Sequence, residues 1–349
     1  MHPTAFLPAT PLPTARSHPT APAKCPRMVA ARPSQTPSDT PAAAPTTAPS
    51  PHHPRPYFGH IVTAMVTPFK RDSTEIDYNT AEQLASHLVS HGSDALLIAG
   101  TTGESPTLTW SEQYELFTVI RNAVGNRTTL IAGAGSNSTA ESIEATHRAS
   151  KLGFDATLQV VPYYNKPPQE GLYRHFASIA SAEPDLPVML YNIPSRTGTN
   201  MLPETTARLA HIDNIIAIKQ ATADMDALQA VRAMTPSDFY IYSGDDSLTL
   251  PFLTLGASGV VSVASHFIGP QLQQMVKSYT NGDVADATAI HMRYAKLFSD
   301  LFCMTNPIPT KTALRLQGWN VGGVRLPLVD ASPDVEQRLA TLLRELNLL

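Results

Sequence analysis

The chain has 349 residues, 42% of them hydrophobic and 15% charged, with a formal net charge of −4. This composition fits a globular protein with a sizeable core, and an acidic balance without any Lys/Arg block excludes a general nucleic-acid binder. No stretch approaches the roughly 18 uninterrupted apolar residues of a membrane span. Cys25 and Cys303 form neither a disulfide framework nor a ligand-spaced cluster, which favours a reducing compartment.

Residues 1–56 differ in kind from the rest. They are Pro, Ala, Thr and Ser with few large apolar side chains, too poor in apolar surface to bury a core. Five basic residues (Arg16, Lys24, Arg27, Arg32 and Arg55) face Asp39 alone, so the acid excess lies in the remainder. A basic, acid-poor leader reads as an organelle transit peptide, although its proline content suits a disordered extension or a start placed too far upstream equally well.

From His60 onward, short runs rich in Val and Ile alternate with helical stretches. The runs are "IVTAMVTP" (61–68), "ALLIAG" (95–100), "TLIAGAG" (129–135), "ATLQVVP" (156–162), "PVMLYN" (187–192), "NIIAIK" (214–219), "FYIYSG" (239–244) and "SGVVSVAS" (258–265). Between the first two, Ala81, Leu84, Ala85, Leu88 and Val89 fall on one face of a helix. Continuous apolar strands alternating with helices predict a parallel sheet covered on its outside. Eight units predict an α/β fold of the (β/α)8 TIM-barrel type rather than an open dinucleotide-binding sheet, whose glycine fingerprint "GAGSNS" (133–138) only partly matches. The expected organisation is a barrel over 57–285 followed by a C-terminal helical region over 286–349.

Barrel sites form at the C-terminal ends of the strands. That rim carries Thr67, Thr101, Thr102, Tyr163, Tyr164, Tyr191, Arg196, Lys219 and residues 244–246. A lysine closing a strand usually reaches for solvent. In a desolvated barrel mouth, however, burial lowers the amine's pKa and frees its lone pair to attack a carbonyl. The four apolar residues before Lys219 are expected to supply that burial, and no metal-ligand spacing on the rim offers another way to activate a ketone. "GTTGES" (100–105) reads as a turn whose Gly100 and Gly103 take unusual φ, with a hydroxyl capping the next helix, or as a carboxylate site of hydroxyls and amides. Tyr191, beside strand six, is either a packed aromatic or a proton shuttle for imine formation. Arg196 suits a carboxylate or a surface ion pair. "PYYNKPP" (162–168) reads as an aromatic loop able to pack on another subunit, and the paired acids of "SGDD" (243–246) as a helix N-terminus rather than a metal site.

In order and spacing, "TAMVTPF", "GTTGESPTL", "VVPYYNKPPQEGLYRHF", "YNIPSRTG", "IIAIKQAT" and "SGDD" resemble the dihydrodipicolinate synthase family of pyruvate-dependent class I aldolases, from about Gly59 to the C-terminus. The resemblance implies that Lys219 forms an imine with pyruvate. Tyr191 would relay protons with Thr101 and with Tyr164 from a neighbouring subunit. Thr102 would hold the pyruvate carboxylate and Arg196 that of L-aspartate 4-semialdehyde. Gly244 and the backbone near Val261, where many relatives carry Ile, would line the pocket.

It further implies no organic cofactor or metal, a homotetramer of tight dimers, and inhibition by L-lysine at Ser105, Trp110, Asn137, Glu141 and Tyr163. Trp110 stands where enterobacterial members often have His. The compartment implied is the cytoplasm, or the plastid stroma if residues 1–56 are a transit peptide. Other readings are a sugar-acid lyase of the same superfamily and a non-catalytic small-molecule-binding barrel.

Overall fold

The structure, a computed structural model, describes residues 56–71 and 73–349. Apart from Pro56, the segment read as a leader lies outside the described residues. The eight apolar runs form the strands β1 (Ile61–Ala64), β2 (Ala95–Ile98), β3 (Thr129–Gly133), β4 (Ala156–Val160), β5 (Val188–Asn192), β6 (Ile215–Gln220), β7 (Tyr240–Ser243) and β8 (Gly259–Ser262). Each pairs in parallel with its neighbour in sequence, and β8 returns to β1, closing the barrel. The expected (β/α)8 fold is therefore present. The strands are shorter than the runs, and the left-over C-terminal residues make the rim. Only β6 extends past its run, by one residue, so Lys219 lies just inside the strand rather than at its end.

Helices α1 (Tyr78–Ser90), α2 (Trp110–Val124), α3 (Thr139–Lys151), α4 (Gln169–Ala182), the short α5 (Pro194–Thr197), α6 (Pro203–Leu209), α7 (Met225–Met234), α8 (Thr249–Thr254) and α9 (Ser265–Thr280) follow the strands. Local chemistry sets their starts. The Asp77 carboxylate accepts from the Thr80 amide at the head of α1. At the head of α2, Thr109 and Glu112 form a reciprocal capping box. The apolar stripe of α1 buries Ala81, Leu84, Ala85 and Leu88 as its spacing predicts.

Beyond the barrel come α10 (Val284–Asp300), α11 (Ile308–Leu316) and α12 (Pro333–Glu345), the expected C-terminal helical region. Leu297, Phe298, Leu342 and Leu343 of this region share an apolar cluster with β8 and α9. An ion pair adds a polar tie between α11 and the barrel rim. Lys311 Nζ on α11 lies 2.9 Å from Glu104 Oε1 in the turn after β2, and neither side chain is more than 1% exposed. Removing one partner of such a pair strands a buried charge, at a cost of about 3–5 kcal/mol. Among the described residues no helix is long and apolar enough to cross a membrane.

Candidate active site

Two strands and one irregularity aim Lys219 into the barrel. Val188 of β5 pairs with Ile215, but Met189 pairs with Ala217, so Ile216 has no partner on β5. An extra residue switches the faces of a strand. Ile215 and Ile218 accordingly pack outward among the helices, whereas Ala217 belongs to the barrel interior. Lys219, two residues on from Ala217, shares its inward face. The expectation that the preceding isoleucines bury the amine is thus corrected for Ile215 and Ile218, which face away from it. Tyr191 of the interior cluster, whose ring the Lys219 Nζ faces, takes that place.

Lys219 is 6% exposed, and its Nζ lies 4.3 Å from the centre of the Tyr191 ring. Burial brings the amine from 10.5 down to about 8; the nearby Asp246 carboxylate opposes the shift, and the Arg196 guanidinium adds to it. At neutral pH roughly a tenth of the amine is then unprotonated, against about 0.03% for an ordinary lysine. Tyr191 is also buried. Desolvation raises its pKa, while a hydrogen bond with the Thr101 side chain and the Arg196 charge pull it down. A partly neutral amine beside a phenol and a hydroxyl can attack a carbonyl carbon and pass protons during loss of water.

The turn after β2 differs from expectation. Positive φ falls on Ala99 (51°) and Glu104 (58°), not on Gly100 or Gly103. Gly103 is needed for close approach instead, since a Cβ there would lie 3.1 Å from Ala99 Cα and 3.2 Å from Met65 O. No side chain caps the short 3-10 turn Ser105–Thr107 that follows. Thr67 Oγ1 donates to Gly103 O at 2.7 Å, and Asn306 Nδ2 donates to the buried Thr102 Oγ1 at 2.8 Å.

"SGDD" also divides. Asp245 accepts from the Ser247 amide and so caps the short turn after β7, as expected. Asp246 does not. It is buried, accepts from Ser262 Oγ, and receives the amides of Val263 (3.0 Å) and Ala264 (2.9 Å). Sequence reasoning read this carboxylate only as part of a helix N-terminus, because its partners lie on β8 and beyond. Each hydrogen bond to a charged group is worth about 1.5–3 kcal/mol, so Asp246 fastens the β7 and β8 ends together while raising the pKa of Lys219. Among the described residues no group of three or more His, Cys, Asp or Glu is placed to hold a metal.

The remaining rim residues spread around the mouth. Arg196 is exposed on α5, directly after β5. Val261 is buried in the interior cluster. Gly244 sits against the lysine, where a Cβ would lie 3.2 Å from Lys219 Cε and 2.6 Å from Ala221 Cβ. Tyr163 and Tyr164 are 39% and 89% exposed. Ser105 lies in the turn after β2 and Trp110 at the start of α2, while Asn137 lies in the loop after β3 and Glu141 in the first turn of α3. Asn137 Nδ2 donates to Tyr163 O at 3.2 Å, Glu141 accepts from Ser136 Oγ at 2.6 Å, and Trp110 stacks on Tyr114. These three loops follow successive strands, so they stand side by side.

Fold and site together define a (β/α)8-barrel protein with a buried lysine in its mouth. More particularly, the chain belongs to the dihydrodipicolinate synthetase family, whose model matches residues 57–346. It is 57% identical over 293 residues to the 4-hydroxy-tetrahydrodipicolinate synthase of Microcystis aeruginosa, covering 84% of this chain and 98% of that one. The synthase of a Cyanothece strain is 58% identical over 292 residues, with 84% and 99% covered. Among solved structures, the enzyme of Cyanidioschyzon merolae with lysine bound is 56% identical, with a TM-score of 0.84 over 84% of this chain and all of that one.

The contact at Gly244 yields a test of the site. Gly244→Ala overpacks the lysine's surroundings, an error worth about 1–3 kcal/mol. The variant is expected to fold with a modestly lower melting temperature but to lose catalytic turnover by about a hundredfold. Steady-state kinetics beside a thermal melt would check this, and unchanged turnover would contradict the placement of Lys219.

Proposed function

We propose that this protein is a 4-hydroxy-tetrahydrodipicolinate synthase, condensing pyruvate with L-aspartate 4-semialdehyde through an imine on Lys219. The observation that carries the reading is the buried Lys219 amine, brought down to about 8 and set against Tyr191. The names of the cyanobacterial relatives support the particular reaction.

In the proposed sequence the neutral Lys219 amine adds to C2 of pyruvate, and water leaves to give a protonated imine. Loss of a methyl proton converts it to an enamine. Its nucleophilic carbon attacks the aldehyde carbon of L-aspartate 4-semialdehyde, whose oxygen takes up a proton. The substrate's own amine then adds to the imine carbon, closes the ring and releases Lys219. Tyr191 and Thr101 move the protons, and the protonated imine acts as the electron sink. The Thr102 hydroxyl and amide hold the pyruvate carboxylate, and Arg196 receives the carboxylate of the aldehyde. Gly244 and Val261 line the pocket.

We assign Tyr164 to the same relay in a neighbouring copy of the chain, within a homotetramer built as a dimer of dimers. Its φ of 73° is strained for a bulky residue, and its ring lies 89% exposed. A second copy covering the ring would offset that strain. L-Lysine is the proposed inhibitor, bound by Ser105, Trp110, Asn137, Glu141 and Tyr163; the lysine-bound relative and the Asn137–Tyr163 hydrogen bond support this. We place the enzyme in the cytoplasm, or in the plastid stroma if residues 1–56 act as a transit peptide.

Borohydride added with pyruvate should trap a single adduct, which peptide mapping should place on Lys219. Lys219→Met should give no adduct and lower turnover by about a thousandfold or more. An adduct on any other lysine would contradict the mechanism. Millimolar L-lysine should depress the initial rate, and an unchanged rate would remove the regulatory assignment.

A further inference from the structure

A second lysine is as buried as the proposed nucleophile and takes no part in the chemistry. Lys311 is 0% exposed, its Nζ lies 3.9 Å from the centre of the Phe69 ring, and its partner Glu104 is 2% exposed. Glu104 is also one of the two residues with positive φ in the turn that carries Thr101 and Thr102. Its second oxygen accepts the Arg325 amide at 2.9 Å, so both carboxylate oxygens are held from the C-terminal region.

Asn306, one turn before Lys311, reaches the same strip of chain. Its Nδ2 donates to Thr102 Oγ1 at 2.8 Å, while its Oδ1 accepts from Thr310 Oγ1 at 3.3 Å, which fixes the orientation of the amide. A hydroxyl that accepts an N–H keeps its own hydrogen for another acceptor. The contact therefore leaves Thr102 as a donor, the polarity a carboxylate requires.

We propose that Asn306 and Lys311 are positioning residues for the oxo-acid carboxylate. Asn306 sets the Thr102 hydroxyl as a donor, and Lys311, through Glu104, holds the 101–104 turn beneath it. The C-terminal region is thus part of the substrate site rather than an appendage to the barrel. This rests on the proposed function, in which pyruvate binds at Thr102.

The test uses the full-length enzyme and two substitutions. Asn306→Asp keeps the shape but replaces the donor by an acceptor, which turns the Thr102 hydroxyl away from the substrate. Lys311→Met keeps the length but removes the charge. Each should raise the KM for pyruvate by about tenfold or more, the loss of roughly one charge-assisted hydrogen bond. The KM for L-aspartate 4-semialdehyde should stay within about threefold in both variants, and kcat within about threefold in Asn306→Asp, which leaves the anchor of the Thr101 turn intact. Half-saturation of borohydride trapping by pyruvate should move with the pyruvate KM.

Lys311→Met is expected to lower the melting temperature in any case; a merely structural role would move the two KM values together rather than that for pyruvate alone, and that outcome overturns the proposal. So does an unchanged pyruvate KM in either variant. If Lys311→Met does not fold, Asn306→Asp decides alone. Failure of the wild-type enzyme to be trapped with pyruvate would sink the proposed function instead, which keeps the two claims separable.

Discussion

The barrel mouth is organised around the desolvation of one amine. Folding carries Lys219 from 10.5 to about 8, which costs about 3 kcal/mol at neutral pH. The sign follows from the depressed value. The unfolded chain holds the proton more tightly, so the penalty is full below about 8 and fades as pH rises through 10.5. A total stability of about 5–15 kcal/mol makes this a substantial local sacrifice. The rest of the barrel must over-determine the position for it to persist. Tyr191 and Tyr242 pair with Lys219 across β5 and β6 and across β6 and β7, Gly244 leaves room for its stem, and Asp246 locks the next two strand ends.

Desolvation also links fold and chemistry in a second place. The Glu104–Lys311 pair is fully buried, and burial lowers Lys311 to about 8 as well. Its carboxylate partner separates the two lysines in character. Lys311 Nζ is engaged by Glu104 and faces Phe69, whereas no carboxylate hydrogen-bonds Lys219 among the described residues.

Much of this architecture was legible in the sequence, for a physical reason. Parallel strands buried on both faces read as continuous apolar runs, and eight of them at helix-length spacing admit few closures. The rim followed directly, because a residue just past each run must stand at the mouth. What a continuous run conceals is phase. With Ile215, Ile216, Ala217 and Ile218 all apolar, nothing in the sequence marks the unpaired Ile216 that turns Lys219 inward. The turn at 100–105 was legible as a turn, but its strain was assigned to the glycines when Ala99 and Glu104 carry it. Asn306 and Lys311 escaped notice, and Asp246 was read only as part of a helix N-terminus, because each acts through a partner distant in the chain: Thr102, Glu104, and the residues after β8. Only the closed barrel brings them together.

The most direct test is the pH dependence of imine formation between the wild-type enzyme and pyruvate, followed by rapid quench with borohydride under pyruvate-limited conditions. Attack requires the neutral amine, so the rate should rise tenfold per pH unit at first and level off with an inflection near 8. An inflection near 10.5, the value of an exposed lysine, would contradict the claim that the fold holds Lys219 ready to react.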